Sequence, residues 1–236
     1  ESKIVYQKAA DIGLDDIDKN EDIILAISIQ SDFDQRASRW IKNPADQISY
    51  WEVSPGGKFI SLISRGRLFV SPANGSRWVE LTRKSGVRYK QVAFLDEKTV
   101  VYLSDESGEY EIWKAQADGS GSPQQLTKNS KVLITDLYSS PNGKYIAYAD
   151  KDLKLTLYSV EDGVTKLIEQ NENGYAGTVA WMKDGNYLTY ESVEDNLNVV
   201  LKSYHIPTGK IQAITTNRLN SYNSQFTPDL KWLYFV

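Results

Sequence analysis

The sequence predicts an all-β protein, a β-propeller built from four-stranded antiparallel blades. The first observation is a repeated turn that leads into an aromatic strand, seen clearly in Val53–Ile60, Leu137–Ile146, Trp181–Leu188 and Phe226–Leu233, with a degenerate copy at Phe94–Val101. The second is its spacing: with the proline position as reference, the copies fall at 55, 96, 141, 183 and 228, in steps of 41, 45, 42 and 45 residues. A period of this length is that of a propeller blade. Stacking blades around an axis covers sheet faces that one blade cannot bury alone.

The composition is that of a soluble globular chain. The 236 residues are within the length of one all-β domain, and 41% hydrophobic with 25% charged residues is ordinary for such a domain. The formal net charge of -4 argues against a nucleic-acid or an anionic-membrane surface. No apolar run approaches the roughly 18 residues of a membrane span. We therefore expect neither nucleic acid nor membrane as a partner.

Cysteine is absent, which excludes disulfides, thiolate metal sites and a thiol nucleophile. The absence leaves the compartment open; we expect a cytoplasmic protein, with the periplasm as the alternative. Because the sequence starts at Glu1 without a basic and apolar leader, any targeting segment is expected to lie outside it.

The chain is expected to begin and end inside blades. Lys3–Gln7, Asp11–Ile17 and Ile23–Ile29 have the pattern of strands b, c and d of a blade whose strand a is missing. The polar segment Ser31–Gln47 is predicted to be a long connection between blades, or alternatively a cover over the channel. At the other end, Ser221–Phe226 and Trp232–Val236 are predicted to be strands a and b of a last blade.

The third repeat shows the blade template most clearly. We predict strands at Tyr89–Leu95, Thr99–Ser104, Tyr110–Ala115 and Pro123–Thr127, with Asp118-Gly119 in the c–d turn. Asx-Gly turns supply the positive φ that tight hairpins require. Other repeats place Asn74-Gly75, Asp162-Gly163 and Thr208-Gly209 at the same point, and their fourth strands close on Leu81-Thr82, Leu167-Ile168 and Ile214-Thr215.

These elements amount to 21 strands, about five blades' worth, in one partial propeller over residues 1–236. The expected blades span roughly residues 1–30, 48–82, 89–127, 133–168, 177–215 and, incomplete, 221–236. Either the two partial blades form one composite blade, or the ring continues beyond this sequence. We favour continuation, because a protein seldom ends inside a strand with an unpaired edge.

The known catalytic and metal patterns are not present. The single His205 lies in a strand-like run, where a packed structural histidine is the commoner role, and no Gly-x-Ser-x-Gly elbow exists. Asp16–Asn20 resembles the start of a calcium loop, but Glu21 stands where Gly is needed and Ile27 where Glu is needed. We therefore expect no catalytic residue, metal or cofactor, and no peptidase activity in the isolated chain.

A basic cluster is the candidate site. In an antiparallel blade the b–c and d–a connections lie on one face of the disc, which brings together Arg65, Arg83, Lys84 and Arg88. Asp105, Glu106 and Glu109 are expected on the same face, one blade along. One interpretation is a solvated rim of mixed charge. The other is a collar at the channel mouth that orients the charged ends of peptides.

Three segments in order resemble the tricorn protease family, namely Arg65–Ala73, Leu81–Arg88 and Ser104–Trp113, and Ile4–Gln7 and Arg39–Ile41 match upstream. The resemblance covers residues 1 to about 120 well, and the rest as general propeller repeat. The Ser-Pro-x-Gly-Lys turn alone is also found in TolB-like and prolyl-oligopeptidase-type propellers. Departures occur at the acidic stretch Ala10–Asp16 and at Leu95–Lys98, which lacks Ser-Pro.

The resemblance implies the second, seven-bladed propeller of a large serine peptidase. In that family the propellers are thought to gate the passage of oligopeptides to an active site in separate domains, and the subunits form a hexamer. The expected partners are thus oligopeptides, the remaining domains of the same polypeptide and further copies of the chain. The family's catalytic residues have no counterpart here. A TolB-like scaffold that docks a protein partner is the alternative.

Overall fold

The computed structural model describes residues 2–28, 40–82, 84–128 and 131–236. The chain divides into two compact units, Glu1–Lys42 and Asn43–Val236. In the first unit, β1 (Lys3–Lys8), β2 (Asp11–Asp16) and β3 (Glu21–Leu25) form an antiparallel sheet. Of the segment predicted as a connection, residues 31–39 lie outside the described residues, and Pro44–Gln47 is a 3-10 turn.

Over its described residues, the second unit contains four four-stranded antiparallel sheets and one pair of strands, which confirms the predicted fold class. The second blade is β4 (Ile48–Val53), β5 (Phe59–Ser64), β6 (Arg67–Pro72) and β7 (Val79–Glu80). The third blade is β8 (Tyr89–Phe94), β9 (Thr99–Ser104), β10 (Glu111–Gln116) and β11 (Gln124–Gln125).

The fourth blade is β12 (Ile134–Ser139), β13 (Tyr145–Asp150), β14 (Lys154–Ser159) and β15 (Thr165–Gln170). The fifth blade is β16 (Val179–Trp181), β17 (Tyr187–Val193), β18 (Val199–His205) and β19 (Lys210–Ala213). The final pair is β20 (Gln225–Phe226) and β21 (Leu233–Tyr234). Among the residues that the structure describes, no helix is long and apolar enough to cross a membrane.

The core lies between blades. One cluster of buried side chains joins the second blade to the third, another joins the third to the fourth, and a last one joins the fourth to the fifth. Leu68, Leu103 and Leu188 are fully buried examples, one from each cluster. Face-to-face burial between successive sheets is what the repeat length requires of a propeller.

The outermost strands of three blades end before the predicted residues because side chains replace backbone partners. The predicted strand Pro123–Thr127 is reduced to β11, since the hydroxyl of Thr127 accepts the Ile112 N–H (2.9 Å). The hydroxyls of Thr82 and Thr215 accept in the same way in their blades. The fourth blade has no threonine at this point, and β15 runs on to Gln170 with a bulge.

The first strands of three blades each contain a bulge near their start. Pairing with the second strand skips Ser49 and Thr135, the second residues of β4 and β12, and Gln91, the third residue of β8. A bulge re-aims the side chains around it and is common next to functional sites. The sequence pattern does not predict these bulges.

The predicted assignment of turns to faces is confirmed for Arg88. The residue that follows the third strand of each complete blade donates its N–H to a carbonyl at the a–b turn, as Ala73 does to Lys58 (2.8 Å). The c–d turns therefore lie beside the a–b turns. Arg88 instead lies against Gly66 in a b–c turn, at the other end of the strands.

Candidate functional site

The turn between β5 and β6 presents Arg65 to solvent. Because Ser64 pairs with Arg67, the turn consists of Arg65 and Gly66 alone. Their φ angles are 52 and 74, the two positive values of a type I′ hairpin turn. A non-glycine residue in this conformation costs roughly 1–2 kcal/mol. The turn thus holds an exposed arginine in a conformation that its residue type disfavours.

Arg88, on the connection into the third blade, packs onto this turn. A Cβ added to Gly66 would lie 3.2 Å from the Cγ of Arg88. The N–H of Tyr89 donates to the Gly66 carbonyl (3.0 Å). The N–H of Arg88 donates to an Asp105 carboxylate oxygen (2.7 Å). Backbone contacts from two blades therefore fix Arg88, while its side chain remains exposed.

Arg65 and Arg88 line one cavity of about 690 Å³. Lys90, the second residue of β8, joins them as a third exposed cation. The remaining lining residues are Gln47, Ser49, Gly66, Tyr89, Tyr110 and Leu133. The lining contains no carboxylate, and within the described residues none of the three charged side-chain groups forms an ion pair with a carboxylate at 4.0 Å or less. We call Arg65, Arg88 and Lys90 the basic triad.

Lys84, a further member of the predicted cluster, does not join the triad. The Nζ of Lys84 pairs with the carboxylate of Glu106. Both line a separate groove of about 450 Å³ that also contains Glu80 and Asp118. Arg83 lies outside the described residues. The structure thus unites Arg65 with Arg88 and gives the charge of Lys84 a partner.

Lys90 was not predicted because the predicted cluster consists of loop residues, whereas Lys90 lies in a strand. Its signal was a lysine directly after Arg88 and Tyr89, at the point where the innermost strand begins. The strand alternates there, with Tyr89 buried and Lys90 exposed. A strand residue can therefore contribute a cation to the cavity just as a loop residue can.

Tyr110, one of the two tyrosines that line the cavity, is influenced by charges of opposite sign. Burial raises the pKa of Tyr110, as does the carboxylate of Asp105, whereas Arg88 acts to lower it. Tyr110 is thus a neutral hydroxyl at neutral pH, able to donate or accept a hydrogen bond next to the guanidinium group.

Acidic side chains lie on the first strands of the blades instead. Burial raises the pKa of Glu52 in β4 to about 7. Burial, with Glu52 and Asp136, raises the pKa of Tyr50 to about 12. Gln91 donates to the carboxylate of Asp136 (2.8 Å), which links the third blade to the fourth. This set was not predicted, because nothing in a strand pattern marks which polar residues are buried.

We expect Glu52→Gln to raise the melting temperature at pH 8 and to change it little at pH 5. The pKa of Glu52 lies near 7 in the fold against an ordinary 4.5, so the folded protein holds a proton that the unfolded chain releases. Stability is therefore lost as the pH rises through this window, and glutamine, which cannot ionise, avoids the loss. Melting curves from pH 4 to 9 measure this; a constant difference between the two proteins would contradict it.

The contacts of His205 and of Asp16, the first residue of the calcium-loop-like segment, are those of structural residues. The ring of His205 stacks on Tyr187 at 4.4 Å, and its Nδ1 is 2.8 Å from the Thr208 hydroxyl. Asp16 forms ion pairs with Lys3 and Lys19. Over the described ranges, no group of three or more His, Cys, Asp or Glu side chains could hold a metal ion.

Comparison with known proteins gives one family. The model of the tricorn protease second β-propeller domain matches residues 48–236. A Sulfurisphaera tokodaii protein named as the C-terminal subunit of a tricorn-like protease is 30% identical over 237 residues, which cover 99% of this chain and 26% of the relative. The chain thus spans about a quarter of that relative.

Solved structures show the same fold. The crystal structure of the tricorn protease superposes with a TM-score of 0.74 at 16% identity, covering 99% of this chain and 23% of that one. TolB from Acinetobacter baumannii gives a TM-score of 0.59 at 16% identity, covering 92% of this chain and 52% of that one. At these identities the likeness concerns the fold alone.

Proposed function

Because this chain belongs to the tricorn protease second β-propeller family, we propose that it binds oligopeptides and admits them to an active site in other parts of a tricorn-like serine peptidase. The chain itself has no catalytic role in this proposal. The relative's greater length supports further domains in the same polypeptide. The proposal includes assembly into a homo-oligomer, a hexamer by family resemblance.

The observation that carries the proposal is the basic triad. Three exposed cations surround a cavity without a carboxylate in a chain whose formal net charge is -4. A guanidinium group pairs with a carboxylate through two parallel hydrogen bonds, and an ammonium adds charge. The arrangement fits the C-terminal carboxylate or an acidic side chain of a peptide.

We expect the triple variant Arg65→Ala, Arg88→Ala, Lys90→Ala to weaken the binding of an acidic peptide. Exposed pairs contribute about 0.2–1 kcal/mol each, so three give a loss of about 3-fold to 150-fold at low salt. Salt screens exposed charges, so the difference should shrink in 0.5 M NaCl, where the Debye length is well below its value of roughly 10 Å at 0.1 M. Isothermal titration with an N-acetylated peptide that ends in Asp-Glu measures both values.

A matched control is available on the opposite face. Lys58, Lys98 and Lys144 are exposed residues at the a–b turns, and the hydrogen bonds recorded there use their backbone. Replacing all three with alanine removes the same charge but leaves the basic triad intact. Equal losses in the two triple variants would contradict a site at the triad, because net charge alone would then explain the binding.

A TolB-like scaffold is the second candidate, favoured by the structural likeness to TolB. In that case a protein partner docks on the disc face, and no peptide enters the channel. Binding of a folded partner that does not compete with acidic peptides would favour this candidate.

A further inference from the structure

The turn between β17 and β18 contains a leucine that is both strained and exposed. Leu197 has a φ of 64, and its side chain is 71% exposed. Its N–H donates to the Glu194 carbonyl (2.8 Å), which closes the turn. Glycine or asparagine adopts this backbone conformation more readily than leucine. Neither the backbone nor burial favours leucine at this position.

In the corresponding turn of the fourth blade, packing offsets the same kind of backbone strain. Leu153, between β13 and β14, has a φ of 61 and is half-buried. It borders a small void together with Ala176 from the following connection. Its carbonyl accepts the Asn171 N–H (3.0 Å). Leu153 therefore compensates its strain by packing, and Leu197 does not.

A second exposed leucine is held beside the turn of Leu197. The side-chain amides of Asn196 and Asn198, on either side of Leu197, each donate to the Asn217 carbonyl at 2.8 Å. Asn217 is two residues before Leu219, which is 78% exposed. The two loops are thus tied together, and both present a large apolar side chain.

The charge around the two leucines is predominantly negative. Glu194 and Asp195 precede Leu197, and Asn173, next to Glu172, donates to the Asp195 carboxylate (3.1 Å). Arg218 is the one cation in the three loops 171–175, 194–198 and 217–220, against three carboxylates. The Nζ of Lys202 in β18 forms an ion pair with Glu194 at 3.1 Å. A partner that complements this surface carries apolar side chains next to Lys or Arg.

We propose that Leu197 and Leu219 form a docking patch for an extended segment of a partner protein with apolar side chains beside basic ones. Strained residues persist where function selects them, and exposed apolar patches with a polar border mark interaction sites. The patch goes beyond the proposed function, because its chemistry is opposite to that of the basic triad on the same face of the disc.

The test uses the peptide acetyl-Gly-Leu-Lys-Leu-Lys-Gly-amide, which has no carboxylate and so cannot engage the basic triad. We expect Leu197→Asn with Leu219→Asn to weaken its binding at least tenfold. The melting temperature should stay constant or rise by a few degrees, because asparagine relieves the strain at position 197. Leu153→Asn should leave binding unchanged and lower the melting temperature.

Three results would overturn the proposal. The first is that the peptide does not bind the unaltered chain. The second is that a peptide with serine in place of leucine binds equally well. The third is a fall in melting temperature for Leu197→Asn alone, which would make Leu197 a packing residue. Loss of acidic-peptide binding in the triad variant has no bearing on these outcomes, so the two proposals fail separately.

Discussion

Gly143→Ala is expected to lower the free energy of unfolding by about 2–4 kcal/mol, because it combines a disfavoured φ with a clash against another blade. Gly143 has a φ of 69, in the Ser-Pro-Asn-Gly turn of the fourth blade. A Cβ there would lie 2.6 Å from the Leu95 carbonyl oxygen, which is backbone of the third blade. Backbone cannot rotate away as a side chain would, so the blades must separate. Urea unfolding measures the loss.

Gly57 provides the matched control. It occupies the same position of the repeat in the second blade, with the same φ of 69, but nothing lies within 4 Å of an added Cβ. Gly57→Ala is therefore expected to cost only the conformational penalty, about 1–2 kcal/mol. Equal losses in the two variants would show that the contact between the third and fourth blades contributes nothing.

Lys202→Met is expected to destabilise the fold by about 2–4 kcal/mol, because it leaves two carboxylates without their cation. The Nζ of Lys202 is 2.9 Å from Glu169 in β15 and 3.1 Å from Glu194. Both Lys202 and Glu169 are less than one-fifth exposed, at 19% and 17%. Glu169 also accepts hydrogen bonds from Tyr190 and Ser192, so the network joins the fourth blade to the fifth.

The pKa of Glu169 shows which force dominates in this network. Burial acts to raise it, but hydrogen bonds from Tyr190, Lys202 and Ser192 outweigh burial and hold it below the ordinary value. The control is Lys154→Met, which removes a more exposed ion pair with Asp152 and should cost less than about 1 kcal/mol. A Lys202 variant as stable as the Lys154 variant would contradict the role of the network.

The fold could be predicted because its signals are local and repeated. Turn residues such as Pro141 and Gly143 recur at the blade period, and the packing of successive sheets follows from that period. Strand ends were less predictable. The sequence pattern predicts a strand up to Thr127, but the Thr127 side chain takes the place of a backbone partner and the strand ends earlier. The predicted strand Ser221–Phe226 is broken by the positive φ of Asn223 (54).

The candidate site was predictable only in part. Topology placed Arg65 and Arg88 on one face, but pairing between side chains depends on distances that a sequence does not contain. The sequence therefore does not show that Lys84 forms an ion pair with Glu106, or that Lys90 lines the cavity. The strain at Leu197 was hidden because its turn lacks the Asn-Gly or Asp-Gly pair that usually marks a positive φ.

The most direct test of peptide capture by the basic triad is to measure how far binding depends on both the peptide's terminal carboxylate and the triad. A peptide and its C-terminally amidated form are titrated against the unaltered chain and against the triple variant at Arg65, Arg88 and Lys90. We predict that amidation weakens binding to the unaltered chain and has no effect on binding to the variant. An equal effect of amidation on both proteins would show that the carboxylate binds elsewhere.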